Sequence, residues 1–96
     1  MTSIVYKYPI PVDDAIHRVP WLDGDAVTHV QVRDNLDVVD VWIQHWIRQP
    51  TSADETIGLR IVGTGQPFSR HAAVVGTTVH PATKLVWHVI REDVRR

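Results

Sequence analysis

The sequence predicts an all-β domain, an antiparallel sandwich or small barrel of six to seven strands built from hairpins. Three observations carry that expectation. β-Branched and aromatic residues repeat with a period of two, most clearly in Asp37 to Ile47, where Val39, Val41 and Ile43 share one register. Gly, Pro, Asp and Asn punctuate the chain between such runs. No stretch carries a useful helical spacing: the one capping-box match, Ser52 to Glu55, leads into no helical run.

The first strand is read from Ile4, Tyr6, Tyr8 and Ile10, which alternate with Val5 and Lys7, and it is closed by Pro9 and Pro11. Asp13-Asp14 falls in a connection, and Ile16 to Val19 form a short strand before Pro20. Trp21 to Asp25 is a turn cluster in which Gly24 is the residue suited to positive φ. Ala26 to Arg33 and the Asp37 run then form a hairpin, with Asp34-Asn35 as a two-residue turn. That turn would set Gln31 against Val38, His29 against Asp40 and Val27 against Trp42. It would also gather Val30, Val32, Val39 and Val41 on the other side. Gln49 to Glu55 reads as a loop, and Leu59, Ile61 and Val62 as a strand ending in Gly63-Thr64-Gly65. A second hairpin takes His71 to Val79 and Lys84 to Arg91 as arms, with His80 to Thr83 between them. A four-residue turn there would place Val75 opposite His88 and Gly76 under Trp87.

Ninety-six residues bound this to one domain over 1–96, with a charged tail at about 92–96. A hydrophobic fraction of 44% with four Trp suffices for a core. The absence of Cys excludes a disulfide framework and thiolate metal sites. A net charge of −1 gives no general attraction to nucleic acid or anionic lipid. No apolar run approaches the roughly 20 residues that span a bilayer. A soluble, cytoplasmic protein is expected, without a membrane or a sequence-specific nucleic acid as partner.

Three blocks resemble a small phage-associated domain family without an assigned activity: Ile4 to Ile10 (IVYKYPI), Leu59 to Pro67 (LRIVGTGQP) and Leu85 to Ile90 (LVWHVI). They stand in the same order and nearly span the chain, while Thr51 to Gly58 and the polar tail depart from the pattern. The resemblance implies a phage source, a compact β-domain and action in the host cytoplasm. It carries over no catalytic residue.

Six His invite a metal reading, but neither HxH nor HExxH spacing occurs, so no metal and no cofactor is expected. His29 and Asp40 are the best polar pair; as a surface pair they would contribute roughly 0–1 kcal/mol. His45, on the apolar register of its strand, suits a satisfied half-buried residue better than a ligand. Ser3, Ser52 and Ser69 lie outside any nucleophile elbow, and Ser69 and His71 have no third group to orient them, so no catalytic residue is assigned. Gly63 and Gly65, flanked by Arg60, Arg70 and His71, could form a modest anion site through backbone N–H groups. Gln66-Pro67 follows them instead of a helix, and a plain turn explains the glycines as well.

Trp42 and Trp46 share, with Val38, the side of the strand opposite the aliphatic row. Either a loop or the N-terminal segment covers them, or they form an interface. The interface reading is carried forward: a non-enzymatic, homo-oligomeric binding protein with an aromatic β-surface, directed at a host protein. The alternatives are a trap for a nucleotide-like small molecule using Arg60, Arg70 and His71, and a virion component.

Overall fold

A computed structural model of the protein describes residues 2–33, 37–47 and 55–92, the side chain of Ile47 excepted. Alternation of apolar and polar residues produces seven strands: β1 (Thr2–Pro11), β2 (His17–Pro20), β3 (Ala26–Val32), β4 (Val38–Ile47), β5 (Thr56–Gly63), β6 (Ala73–Val79) and β7 (Val86–Arg91). No helix occurs among the described residues. The strands make two antiparallel sheets, ordered β1-β4-β3 and β2-β5-β7-β6, which face each other as a sandwich and not as a closed barrel. The all-β expectation holds, including the strand number.

The core lies between the sheets. Val39, Val41 and Ile43 of β4 are fully enclosed with Ile10, Val30 and Val32, against Val19, Ile57, Leu59, Ile61 and Val89 of the second sheet. This is the aliphatic row that the period of two in Asp37 to Ile47 picks out. The sheets come closest where β3 meets β6. A Cβ on Gly76 would lie 2.7 Å from Val30 Cγ1, so only glycine fits there. At the same seam the Val32 N–H donates to Thr78 Oγ1 at 3.2 Å.

Both hairpins correct the expected pairing by two residues. Asp34 to Leu36, which include the expected Asp34-Asn35 turn, lie outside the described residues, yet the strands on either side fix the register. Arg33 N–H donates to Val38 O, and Val32 pairs with Val39. Four residues therefore connect the arms instead of two. His29 lies opposite Trp42, not Asp40, while Gln31 faces Asp40 and Val27 faces Ile43. The His29–Asp40 pair is thus not formed. Asp40 is instead gripped by the Arg33 guanidinium, with Nε 2.9 Å from Oδ2 and Nη2 2.9 Å from Oδ1, a fork geometry that imidazole cannot match. In the second hairpin Val79 pairs with Val86 and His80 N–H donates to Leu85 O, so the turn is the four residues Pro81 to Lys84 and not His80 to Thr83, with Lys84 at φ 62°. Thr77 and not Val75 then faces His88, and Thr78 and not Gly76 faces Trp87. Trp87 still covers a glycine, on its other flank: it lies opposite Gly63 of β5, with Cζ3 3.4 Å from where a Cβ would be. Between each turn and its bulge the shift of two preserves the period, so the buried faces there are the expected ones even though the partners are not. Beyond the bulge in β3 the offset is one, and Val27, expected on the Trp42 side, packs against the core instead.

Each outer arm also carries a bulge. Thr28 is the extra residue in β3 and Val75 the extra residue in β6. The two bulges sit across the seam from each other and line a shallow groove of about 210 Å³ with His29, Val30 and Thr77. The expected loop from Gln49 falls almost wholly outside the described residues; Glu55 alone is seen, its carbonyl accepting from Trp21 N–H.

Candidate functional site

β4 is paired on both sides, which makes β1 and β3 the borders of the three-stranded sheet; among the described residues no strand pairs with the outer side of β1. Its apolar residues occupy both registers, and three remain open to solvent: Ile4 is 36% exposed, Val5 50% and Tyr6 52%. Ile4 and Tyr6 project on the same side as Ile10 but run past the part of the sheet that the second sheet covers. Val5 projects on the opposite side, between Lys7 and Ser3, which pair with Trp42 and Trp46. The Trp42 ring lies 5.2 Å from the His29 ring, and both indoles are half-buried. Together these residues give one end of the sheet an apolar and aromatic surface on two sides of an edge.

A hydrogen-bonded cluster stiffens that end. Gly24, at φ 93°, turns the chain so that Asp25 points inward, its side chain fully enclosed. Asp25 Oδ2 accepts from Leu22 N–H at 2.9 Å and from His45 Nδ1 at 2.7 Å, and Oδ1 accepts from Trp46 N–H at 3.1 Å. With the Nδ1 proton held by the carboxylate, His45 Nε2 becomes the acceptor for Tyr8 O–H at 2.8 Å. Tyr6 packs on the same imidazole with ring centres 6.0 Å apart. Trp46 Nε1–H donates to Gly24 O at 2.7 Å. One turn thus holds His45, Trp46 and, through His45, both tyrosines.

The electrostatics follow from these contacts. Burial alone would raise the Asp25 carboxyl, but the bonds from Leu22, His45 and Trp46 outweigh it and hold the group below its ordinary value. Burial, with Tyr6 and Asp25 nearby, pushes the Tyr8 phenol upward. Tyr8 is therefore a neutral donor, unsuited to act as a phenolate nucleophile near neutrality. The carboxylate–imidazole–hydroxyl order resembles a catalytic relay, yet its last member is held as a donor and not activated. The cluster holds the Tyr6, Tyr8 and Trp46 side chains against the turn at Gly24-Asp25.

The sequence-derived residues distribute as follows. Trp42 and Trp46 belong to this surface, whereas Val38 lies at the far end of β4 beside Pro11. Arg60 is charge-paired within the fold: its Nη1 lies 3.1 Å from Glu92 Oε2 and its Nε 3.5 Å from Asp14, neither Nε nor that Glu92 oxygen with hydrogen-bond geometry, while Nη2 donates to Pro67 O. Gly63 N–H donates to Gln66 Oε1, and Gly65 occupies a left-handed turn position at φ 91°. Arg70 and His71 stand together in an exposed turn before β6, with Arg70 Nε 3.5 Å from His71 Nε2. The groove beside Gly63 is lined by Thr64, Lys84, Leu85, Val86 and Trp87 and by none of those three cationic residues. His88 sits between two hydroxyls, Thr64 and Thr77. Among the described residues no group of three or more His, Asp or Glu side chains converges as a metal site would.

Sequence reasoning placed His45 rightly as a satisfied half-buried residue but missed Asp25 and Tyr8 as its partners. A polar ring on an aliphatic register requires a buried partner, and that was the available signal. It also missed Ile4, Val5 and Tyr6, although a strand apolar on both registers with prolines at one end describes an edge that something else could cover.

The model of a domain of unknown function, DUF7352, matches residues 1–96. No curated protein and no solved structure gives a significant match. With the match running the full length of the sequence, the chain belongs to the DUF7352 family.

Proposed function

We propose that this is a non-catalytic binding protein whose working surface is the aromatic end of the three-stranded sheet. The observation that carries the reading is the exposure of Ile4, Val5 and Tyr6 on an edge strand continuous with Trp42 and Trp46. Contiguous apolar surface on a small domain marks a contact site, and aromatic residues dominate the energetics of such contacts. The Asp25–His45–Tyr8 cluster supports it further, because side chains held in place before binding lose less freedom on docking. The resemblance to phage-borne domains suggests the setting: an accessory protein that engages a host protein in the host cytoplasm and assembles with copies of itself. The trap for a nucleotide-like molecule is the weaker reading, since Arg60 is already paired with Asp14 and Glu92.

The test is sedimentation velocity across the micromolar range on wild type and on a Tyr6→Ser/Trp42→Ser double variant. Wild type is expected to self-associate, and the double variant to do so at least ~10-fold more weakly while keeping its fold. Equal association by both would overturn the assignment of this surface.

A further inference from the structure

The backbone of β1 says more about the occupant than its side chains do. Val12 N–H donates to Asp37 O just beyond the strand, which fixes the phase of the ladder between β1 and β4. In an antiparallel pair the N–H and C=O of one residue point to the same side, and successive residues alternate. Even-numbered residues of β1 therefore bond to β4, and odd-numbered residues point away from the sheet. Along that outward row stand Ser3, Val5, Lys7, Pro9 and Pro11. The first three offer donors and acceptors; the two prolines offer no donor and put a ring in the way of a further strand. The free edge is thus a short template, limited to Thr2 through Tyr8.

We infer that this template is occupied by the β1 strand of a second copy, antiparallel and centred on Val5. The inference rests on the reading of this end of the sheet as a binding surface. Centring on Val5 sets Val5 against Val5 and Lys7 against Ser3 on one side of the joined sheet, and Ile4 against Tyr6 on the other. The three most exposed apolar residues of the strand are covered together, no like charges meet, and both prolines remain outside the ladder. Centring on Tyr6 instead drives Pro9 against Ser3 and puts Val5 beside Lys7. Centring on Lys7 opposes two ammonium groups. The Val5 register also places both copies of the Tyr6 ring, each packed on its own His45, next to the joint. The two three-stranded sheets become one of six strands, with a twofold axis through its middle.

Two measurements test this on the full chain. Val5→Pro removes an outward N–H and no bond to β4, repeating what Pro9 and Pro11 already do in the same row. It is expected to convert a wild-type dimer to monomer in sedimentation while circular dichroism and Tm stay close to wild type. Because the chain has no native Cys, disulfide trapping reads the register directly. Facing residues at such non-hydrogen-bonded positions bring their Cβ atoms within disulfide reach. Ile4→Cys mixed with Tyr6→Cys is expected to cross-link on mild oxidation, and each variant alone to remain uncross-linked. Self-cross-linking of either variant alone, without the mixed product, would overturn the Val5 register. A dimer that survives Val5→Pro but is lost in Tyr6→Ser/Trp42→Ser overturns edge pairing and leaves the surface reading standing. A monomeric wild type overturns the pairing together with self-association.

Discussion

Asp25 joins three segments of this molecule, and it does so from a turn. Its carboxylate gathers a turn amide, a strand amide and an imidazole, joining the segment before β3 to β4 and, through His45, to β1. Because its folded pKa lies below the ordinary value, its contribution is complete above that value and disappears as pH falls through the folded one. Denaturant melts at a series of pH values should therefore show stability declining on the acid side, with part of that decline absent in Asp25→Asn. At neutral pH Asp25→Asn should cost ~1.5–3 kcal/mol, the range for hydrogen bonds to a buried charged group. Tyr8→Phe removes one bond and leaves His45 Nε2 without its phenol, so a loss of about 1 kcal/mol is expected in the same melts. The larger effect of Asp25→Asn would locate the strength of the cluster in its charged member.

At the scale of the element, the lesson lies in the two hairpins. Which residues face inward was legible, because Val39, Val41 and Ile43 alternate strictly and burial reads alternation directly. Which residues face one another was not, because that depends on the length and the position of the turn: Asp34-Asn35 satisfies a two-residue turn as readily as part of a longer one, and in the second hairpin a four-residue turn is displaced by one residue. Up to the bulges both errors were of two residues, the smallest slip that leaves side chains on their proper side; past the β3 bulge the offset falls to one and Val27 changes sides. The bulge at Thr28 had no local signature, whereas the one at Val75 stands next to Gly76, a strand glycine of the kind that often marks a bulge. The seam between β3 and β6 supplies a prediction of its own. Gly76→Ala forces a methyl into Val30, and the overpacking should lower stability by ~1–3 kcal/mol in equilibrium denaturation. The paired variant Gly76→Ala/Val30→Ala should recover part of that loss, because the added methyl then has room.

For the molecule as a whole, sequence order and spatial order diverge. β1 pairs with β4 across two intervening strands, and β5 lies between β2 and β7. No periodicity announces such pairings, which explains why strand number could be read and strand order could not. They also require distant segments to meet before any of them is rewarded. Refolding followed by Trp fluorescence should accordingly be slow for a chain this short, on the order of milliseconds to seconds. The candidate site was half legible for the same reason: Trp42 and Trp46 advertise themselves within one strand, whereas Asp25, His45 and Tyr8 come from three separate segments.

The two borders of the three-stranded sheet are unequal. Along β3 the Val32 amide is already engaged by Thr78 across the seam, and the Thr28 bulge breaks the straight line that an incoming strand would follow. Along β1 a stretch is open, but Pro9 and Pro11 shorten it. Growth of this sheet through β1 would therefore take a single step, since two three-stranded sheets joined there leave only their β3 borders, each interrupted by the Thr28 bulge. Exposed sheet borders carry the hazard of endless polymerisation, and in the three-stranded sheet geometry limits it: one border is kinked by a bulge and the other is cut short by two prolines.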